Sequence, residues 1–118
     1  MILFSASVPM PPSLNNAFLN VPGKGRVRSQ SYKAWAEEAG WMVKAKRNGA
    51  ITEAVSVHID IRPANNRAFD LDNRVKPCLD ILVACGVLSD DSNKFVKAVS
   101  VREVTEGPAC TITIEAIA

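Results

Sequence analysis

Residues 54–62 alternate apolar and polar side chains without a break. Val55, Val57, Ile59 and Ile61 fall on one side, and Ser56, His58, Asp60 and Arg62 on the other. Successive side chains of a strand point to opposite faces, so this run predicts a β-strand with one buried and one wet face. A sheet wetted on one face needs cover on the other, which limits the architectures open to the chain. The alternation also puts His58, the single histidine, on the polar face with no second histidine to form a metal pair. Catalysis by His58 is not expected.

The remaining segments supply that cover. Residues 2–8 read as a first strand, stopped by Pro9, Pro11 and Pro12, because proline donates no ladder hydrogen bond. Residues 13–30 are rich in Asn, Gly, Pro and Arg without apolar periodicity, and read as a long loop. Its KGRVR segment alternates Lys24, Arg26 and Arg28; these either present three cations to a phosphate backbone or form a solvated loop. A helix is predicted over 31–48, with Ser31 as N-cap and an apolar face of Tyr32, Trp35, Ala36, Ala39, Met42 and Val43. Trp41 lies off that stripe, at a flank or a subunit interface. Lys44, Lys46 and Arg47 suit the negative end of the helix dipole, and Gly49 ends the helix.

After the break at 63–66, Val75, Leu79, Leu82 and Val83 recur at helical spacing. Pro77 must then lie in the first turn, so the regular helix starts near Asn73 with a loose first turn. Residues 95–104 and 110–117 are two further β-type runs, and the Gly-Pro turn between them reads as a hairpin. The expected fold is α+β: one domain over residues 1–118, a mixed sheet with helices packed on it, in the order strand, helix, strand, helix, strand, strand.

Composition narrows the function classes. A chain of 118 residues with 47% hydrophobic and 22% charged residues is a single globular domain, not a disordered one. No apolar run approaches the roughly 20 residues needed to cross a bilayer, and the opening MILFSASV lacks a basic n-region and a cleavage site, so no signal peptide is expected. Cys78, Cys85 and Cys110 include no C-x-x-C pair and fit neither a zinc site nor a disulfide framework. Cys78 and Cys85 are expected to face the core as free thiols in a reducing cytoplasm.

On a chain of net charge +2, the acids cluster: Asp70 and Asp72 stand two apart, Asp80 follows, and Asp90-Asp91 closes the segment. If 70–72 is extended, Asp70 and Asp72 project to one side and Leu71 to the other. If the loop after the helix folds back, Asp91 joins them. Three carboxylates that close repel one another unless a cation lies between them. Oxygen donors without His or Cys select Mg²⁺ or Mn²⁺. Lys76, one turn beyond Asp72, would then place an ammonium on a scissile phosphate or leaving oxygen. The plainer reading stays open: Asp72 or Asn73 caps a helix, Asp80 pairs with Lys76, and Asp90-Asp91 forms a turn.

The run D-L-D-N-x-x-K at 70–76, D-x-L at 80–82 and G-V-L-S-D-D at 86–91 resembles the RusA family of Holliday junction resolvases. P-P-S-L-N-N at 11–16 is similar to the opening of that family. The resemblance implies a small homodimeric, magnesium-dependent endonuclease of the bacterial or phage-infected cytoplasm, with Mn²⁺ able to substitute. Its substrate would be branched DNA, a four-way junction cut by paired symmetric nicks in recombination and repair. It points to Asp70, Asp72 and Asp91 as metal-binding catalytic carboxylates and to Lys76 as the essential lysine. Asp90 and Asn73 match the motif without a chemical role. A two-fold symmetric protein suits a junction that offers two equivalent strands. DNA contacts are expected from Lys24, Arg26, Arg28, Arg67 and Arg74. Two departures stand out: residues 65–69 carry fewer arginines than family members often do, and Pro77 bears on the aim of Lys76. The alternatives are a junction- or DNA-binding protein of the same fold that does not cut, and a small interaction module whose acids are only caps and turns.

Overall fold

A computed structural model describes residues 1–14 and 18–117. The alternating run forms the strand Val55–Ile61, and every apolar member of it is buried. In chain order the strands are β1 (Ile2–Val8), β2 (Phe18–Val21), β3 (Gly25–Arg28), β4 (Val55–Ile61), β5 (Val96–Glu103) and β6 (Cys110–Ala116). The helices are α1 (Gln30–Lys46) and α2 (Val75–Ala84), the latter entered through a 3₁₀ helix at Leu71–Arg74. The main sheet has the order β1-β6-β4-β5: β6 is antiparallel to both β1 and β4, and β5 is parallel to β4. The mixed α+β architecture is as expected.

One face of this sheet makes the core. Phe4, Ala6 and Val8 of β1, Val57 and Ile59 of β4, and Ile112 and Ile114 of β6 pack beneath Tyr32, Trp35, Ala39 and Val43 of α1 and Cys78, Ile81 and Leu82 of α2. The other face is polar. His58 Nδ1 lies 2.6 Å from Ser100 Oγ on the neighbouring strand, and Asp60 takes a forked contact from Arg102 at 2.7 and 3.3 Å. These are cross-strand pairs on a wet face, and they occupy His58 as the alternation implied. Trp35 Nε1 donates to Pro9 O at 2.9 Å and ties α1 to the end of β1.

Three details differ from the sequence reading. The long loop expected over 13–30 contains the β2–β3 hairpin. Its turn, Val21-Pro22-Gly23-Lys24, is closed by Lys24 N–H donating to Val21 O at 3.0 Å, with Gly23 at φ +79. Proline second and a left-handed glycine third is a type II pattern, so Pro22-Gly23 was the legible signal. Asn15 and Asn16 of the 11–16 motif lie outside the described residues. Helix α1 starts at Gln30, capped by Ser29, whose hydroxyl accepts from Tyr32 N at 3.2 Å; Ser31 instead meets Ser29 Oγ at 3.1 Å.

The third difference is topological. The two C-terminal strands are not a hairpin, because β6 sits between β1 and β4 while β5 lies on the far side of β4. Their connection laps across the end of β4, where Val104 N donates to Ile61 O at 2.8 Å and Arg62 N to Ala109 O at 2.9 Å. The burial patterns give the reason. Strand β6 buries Cys110, Ile112 and Ile114 and suits an interior place, whereas most of β5 is exposed on both faces and suits an edge.

This layering sets an expectation for stability. Ile59→Ala empties a fully enclosed position on β4 and costs about 2–5 kcal/mol in denaturant unfolding. Val99→Ala on the β5 edge, 41% exposed, costs under about 1 kcal/mol.

Candidate active site

Between β4 and β5 the chain must cross over, since parallel neighbours cannot be joined by a tight turn. Residues 62–95 make that crossover and carry the whole acidic constellation. Its first part differs from expectation. Asp70 is extended (φ −88, ψ 117), but Leu71–Arg74 coils into the 3₁₀ helix, with Asn73 N donating to Asp70 O at 3.2 Å and Val75 N to Asp72 O. With three residues per turn, Asp70 and Asp72 do not share one side as they would in a strand. Pro77 supplies the reason. Its ring would clash with the carbonyl four residues back in an α-helix, so regular α geometry begins only at Val75, placing Pro77 in the first turn. Leu71 turns toward the core as expected, and Asn73 Nδ2 stands 3.5 Å from Asp70 Oδ2.

The second part brings the site together. Helix α2 ends at Ala84, Gly86 turns the chain at φ +75, and Val87 and Leu88 are buried, their amides donating to Leu82 O at 3.0 and 3.2 Å. Leu88 also bridges to Ile51. Pinned this way, the exit loop carries Asp91 back to α2. Lys76 Nζ lies 2.7 Å from Asp91 Oδ2 and 3.0 Å from Asp80 Oδ1. Hydrogen bonds to Asp91 and then to Asp80 push the Lys76 ammonium well above the usual lysine range. In return, the Lys76 contact holds the Asp91 carboxyl below the usual carboxylate range. Asp90 Oδ1 accepts from Asp91 N at 2.8 Å, so Asp90 orders the loop that presents its neighbour. The plainer reading of Asp80 and Asp90 thus describes real contacts, in the same place where Asp91 meets Lys76.

The donors are all hard oxygens, which fit a magnesium-like cation in kind. Their arrangement is more open than three converging carboxylates. Asp70 and Asp72 are exposed, and among the described residues no group of three His, Cys, Asp or Glu side chains is placed to hold a metal ion. The Lys76 ammonium, lying between Asp80 and Asp91, offsets part of the mutual repulsion.

The basic residues singled out from the sequence are each held differently. On the hairpin, Arg26 stacks 4.1 Å from the centre of the Phe18 ring and Arg28 5.0 Å from that of Tyr32, while Lys24 sits at the turn. Phe18 and Tyr32 themselves meet at 5.6 Å, so the hairpin is anchored to the first turn of α1. Tyr32 also borders the acids: burial first, and then the Asp80 charge, push its phenol up. Arg67 is exposed on the loop that walls an open cleft of about 610 Å³ together with Arg62, Phe69, Leu71 and Glu103. Arg74 makes contacts within the chain: Nη1 donates to Pro11 O and the guanidinium lies 5.3 Å from the Phe69 ring centre.

Two other sequence readings meet the structure here. Cys78 is buried with its Sγ 3.9 Å from that of Cys110, both free thiols, and Cys85, half-buried, packs against the same core. Trp41 is 70% exposed, off the apolar stripe as read. Sequence reasoning did not foresee Tyr32 beside Asp80 or Arg74 against Pro11, since both join segments far apart in the chain.

The family profile described as Endodeoxyribonuclease RusA matches residues 9–115, a span that takes in every acidic and basic residue of this site. Among the proteins this chain resembles is the crossover junction endodeoxyribonuclease RusA of Aquifex aeolicus (strain VF5). It is 26% identical over 106 residues, which cover 89% of this chain and 82% of that protein. With that profile spanning most of its length, the chain belongs to the RusA family of endodeoxyribonucleases.

Proposed function

We propose that this protein is a structure-selective endodeoxyribonuclease that resolves four-way DNA junctions by divalent-cation-assisted hydrolysis, acting as a homodimer. The observation that carries this reading is the meeting of Lys76 with Asp91 across 15 residues of sequence at 2.7 Å, in a chain of the RusA family. The Aquifex relative bears the name of a crossover junction enzyme, in keeping with this substrate.

Asp70, Asp72 and Asp91 are the residues that would hold Mg²⁺, or Mn²⁺ in its place. When bound, such an ion lowers the pKa of a water and stabilises charge at phosphorus. The chain's own groups supply the rest. Lys76 carries a full positive charge at any ordinary pH and is half exposed, so its ammonium can meet a phosphate oxygen without leaving the helix. Lys24, Arg26 and Arg28 line one approach and Arg67 another. Arginines stacked on Phe18 and Tyr32 are already ordered, so less side-chain freedom is lost when they engage phosphates. A homodimer would place two such centres about a two-fold axis, matching two equivalent strands of a junction.

A second reading, a junction-binding relative that does not cut, draws on one observation: the open arrangement of Asp70 and Asp72 relative to Lys76 and Asp91. Cleavage separates the two. A synthetic four-way junction and a linear duplex of matched sequence are each incubated with Mg²⁺ and with EDTA, using wild type and Asp70→Asn. Paired nicks in the junction alone, abolished by EDTA and by the substitution, are expected. Junction binding without any nick under Mg²⁺ or Mn²⁺ would favour the non-cutting relative.

Lys76→Ala should lower single-turnover cleavage on the order of 10²- to 10³-fold while leaving junction affinity nearly unchanged. Junction binding should weaken linearly in log–log fashion with added salt. Arg26→Ala should reduce that slope by about 1, measured by fluorescence anisotropy. An unchanged slope would remove Arg26 from the phosphate contacts.

A further inference from the structure

Two carboxylates from different parts of the chain share the Lys76 ammonium, and they are not interchangeable. Asp91 belongs to the exit loop and, in the reading above, is a metal ligand. A carboxylate that turns its oxygens toward a divalent cation releases the ammonium it was holding. Asp80 has no such second task. It stands on α2 one turn beyond Lys76, so helix geometry alone keeps the two side chains within reach. Helix α2 is itself fixed by the burial of Pro77, Cys78, Ile81 and Leu82.

Helix stability is a poor reason for this pair. A lysine in the first turn opposes the positive end of the helix dipole. Lysine four residues before the acid is also the less favourable order for an i, i+4 pair. The Asp80 side chain is further confined because the buried Tyr32 phenol borders it from α1. The arrangement costs the helix something at its first turn and puts one cation in one place.

We propose that Asp80 is a positioning residue for the cleavage reaction. It holds the Lys76 ammonium at the site when Asp91 is drawn away, so that the lysine meets the scissile phosphate instead of spreading into solvent. A lysine without that anchor has four rotatable bonds and a strongly hydrated head, and would sample many positions. The proposal rests on the nuclease reading and deepens it by giving a task to an acid that the metal does not need.

Two measurements test it, and only one depends on cleavage. The first detects the slowly exchanging Lys76 ammonium by ¹H–¹⁵N NMR of the metal-free protein at low temperature, assigned through its loss in Lys76→Arg. The signal should persist in Asp91→Ala, where Asp80 remains, and vanish in Asp80→Ala/Asp91→Ala. Loss of the signal in Asp91→Ala alone, in a protein whose thermal unfolding shows it folded, would overturn the proposal. The second is the kinetics of junction cleavage. Asp80→Asn should lower kcat about 10- to 100-fold with KM little changed, and Asp80→Glu should recover part of the loss. An unchanged kcat, or a rise in KM alone, would overturn the proposal while leaving the nuclease reading intact. A wild type that does not cut would remove the nuclease reading, and with it the catalytic purpose given to Asp80. The NMR result would still decide whether Asp80 holds the lysine.

Discussion

The parallel pairing of β4 with β5 is the constraint on which the rest depends. Antiparallel strands can be joined by two residues, but a parallel pair obliges the chain to travel from the end of one strand to the start of the next. That journey occupies residues 62–95, and everything proposed to act on DNA except the hairpin lies along it. The outward leg holds Arg67, Asp70 and Asp72, the helix holds Lys76 and Asp80, and the return holds Asp91. The site is therefore not an appendage to the fold. It is the connection that this strand order requires, stiffened by a buried helix on one side and by Val87 and Leu88 on the other.

Charge and sterics cooperate in that connection. Carboxylates brought near one another raise each other's proton affinity, and a cation among them relieves this. In this protein Lys76 supplies part of that relief from within the chain. Its contacts are partly exposed, so they add little to overall stability. Their value lies in position. Pro77 contributes by refusing α geometry to the residues before Val75. That keeps Leu71–Arg74 in a tighter coil and sets the directions in which Asp70 and Asp72 leave the backbone.

The β2–β3 hairpin is the second device. It stands outside the main sheet, yet Phe18 against Tyr32 joins it to α1, and Tyr32 in turn borders Asp80. A basic arm and an acidic centre thus share one aromatic side chain. Arginines stacked over rings keep their charge and donors while their side chains are confined. The groove of about 410 Å³ between α1 and α2 continues from this junction past Asp80 to the exposed Trp41, whose ring lies 5.8 Å from Lys44 Nζ.

What the sequence determined by itself was local. The alternation over 55–61 set a half-buried strand because the backbone period is two. The spacing of Tyr32, Trp35, Ala39 and Val43 set a helix face because the helical period is 3.6. Pro77 set a loose first turn because its ring excludes an α-helical predecessor. Pro22-Gly23 held the hairpin just as locally, although a stretch poor in apolar residues reads first as loop. The family-like order of acids was legible too, as a pattern along the chain. Only the tertiary structure decided that β6 inserts between β1 and β4 and that Asp91 returns to Lys76. It also decided that Arg74 reaches Pro11, and that Asp72 leaves a 3₁₀ coil and not a strand. Strand partners and loop returns depend on which buried faces meet across long separations, and adjacent residues carry no record of that choice. The physical reason is that periodicity acts between near neighbours, whereas burial is settled by the whole chain at once.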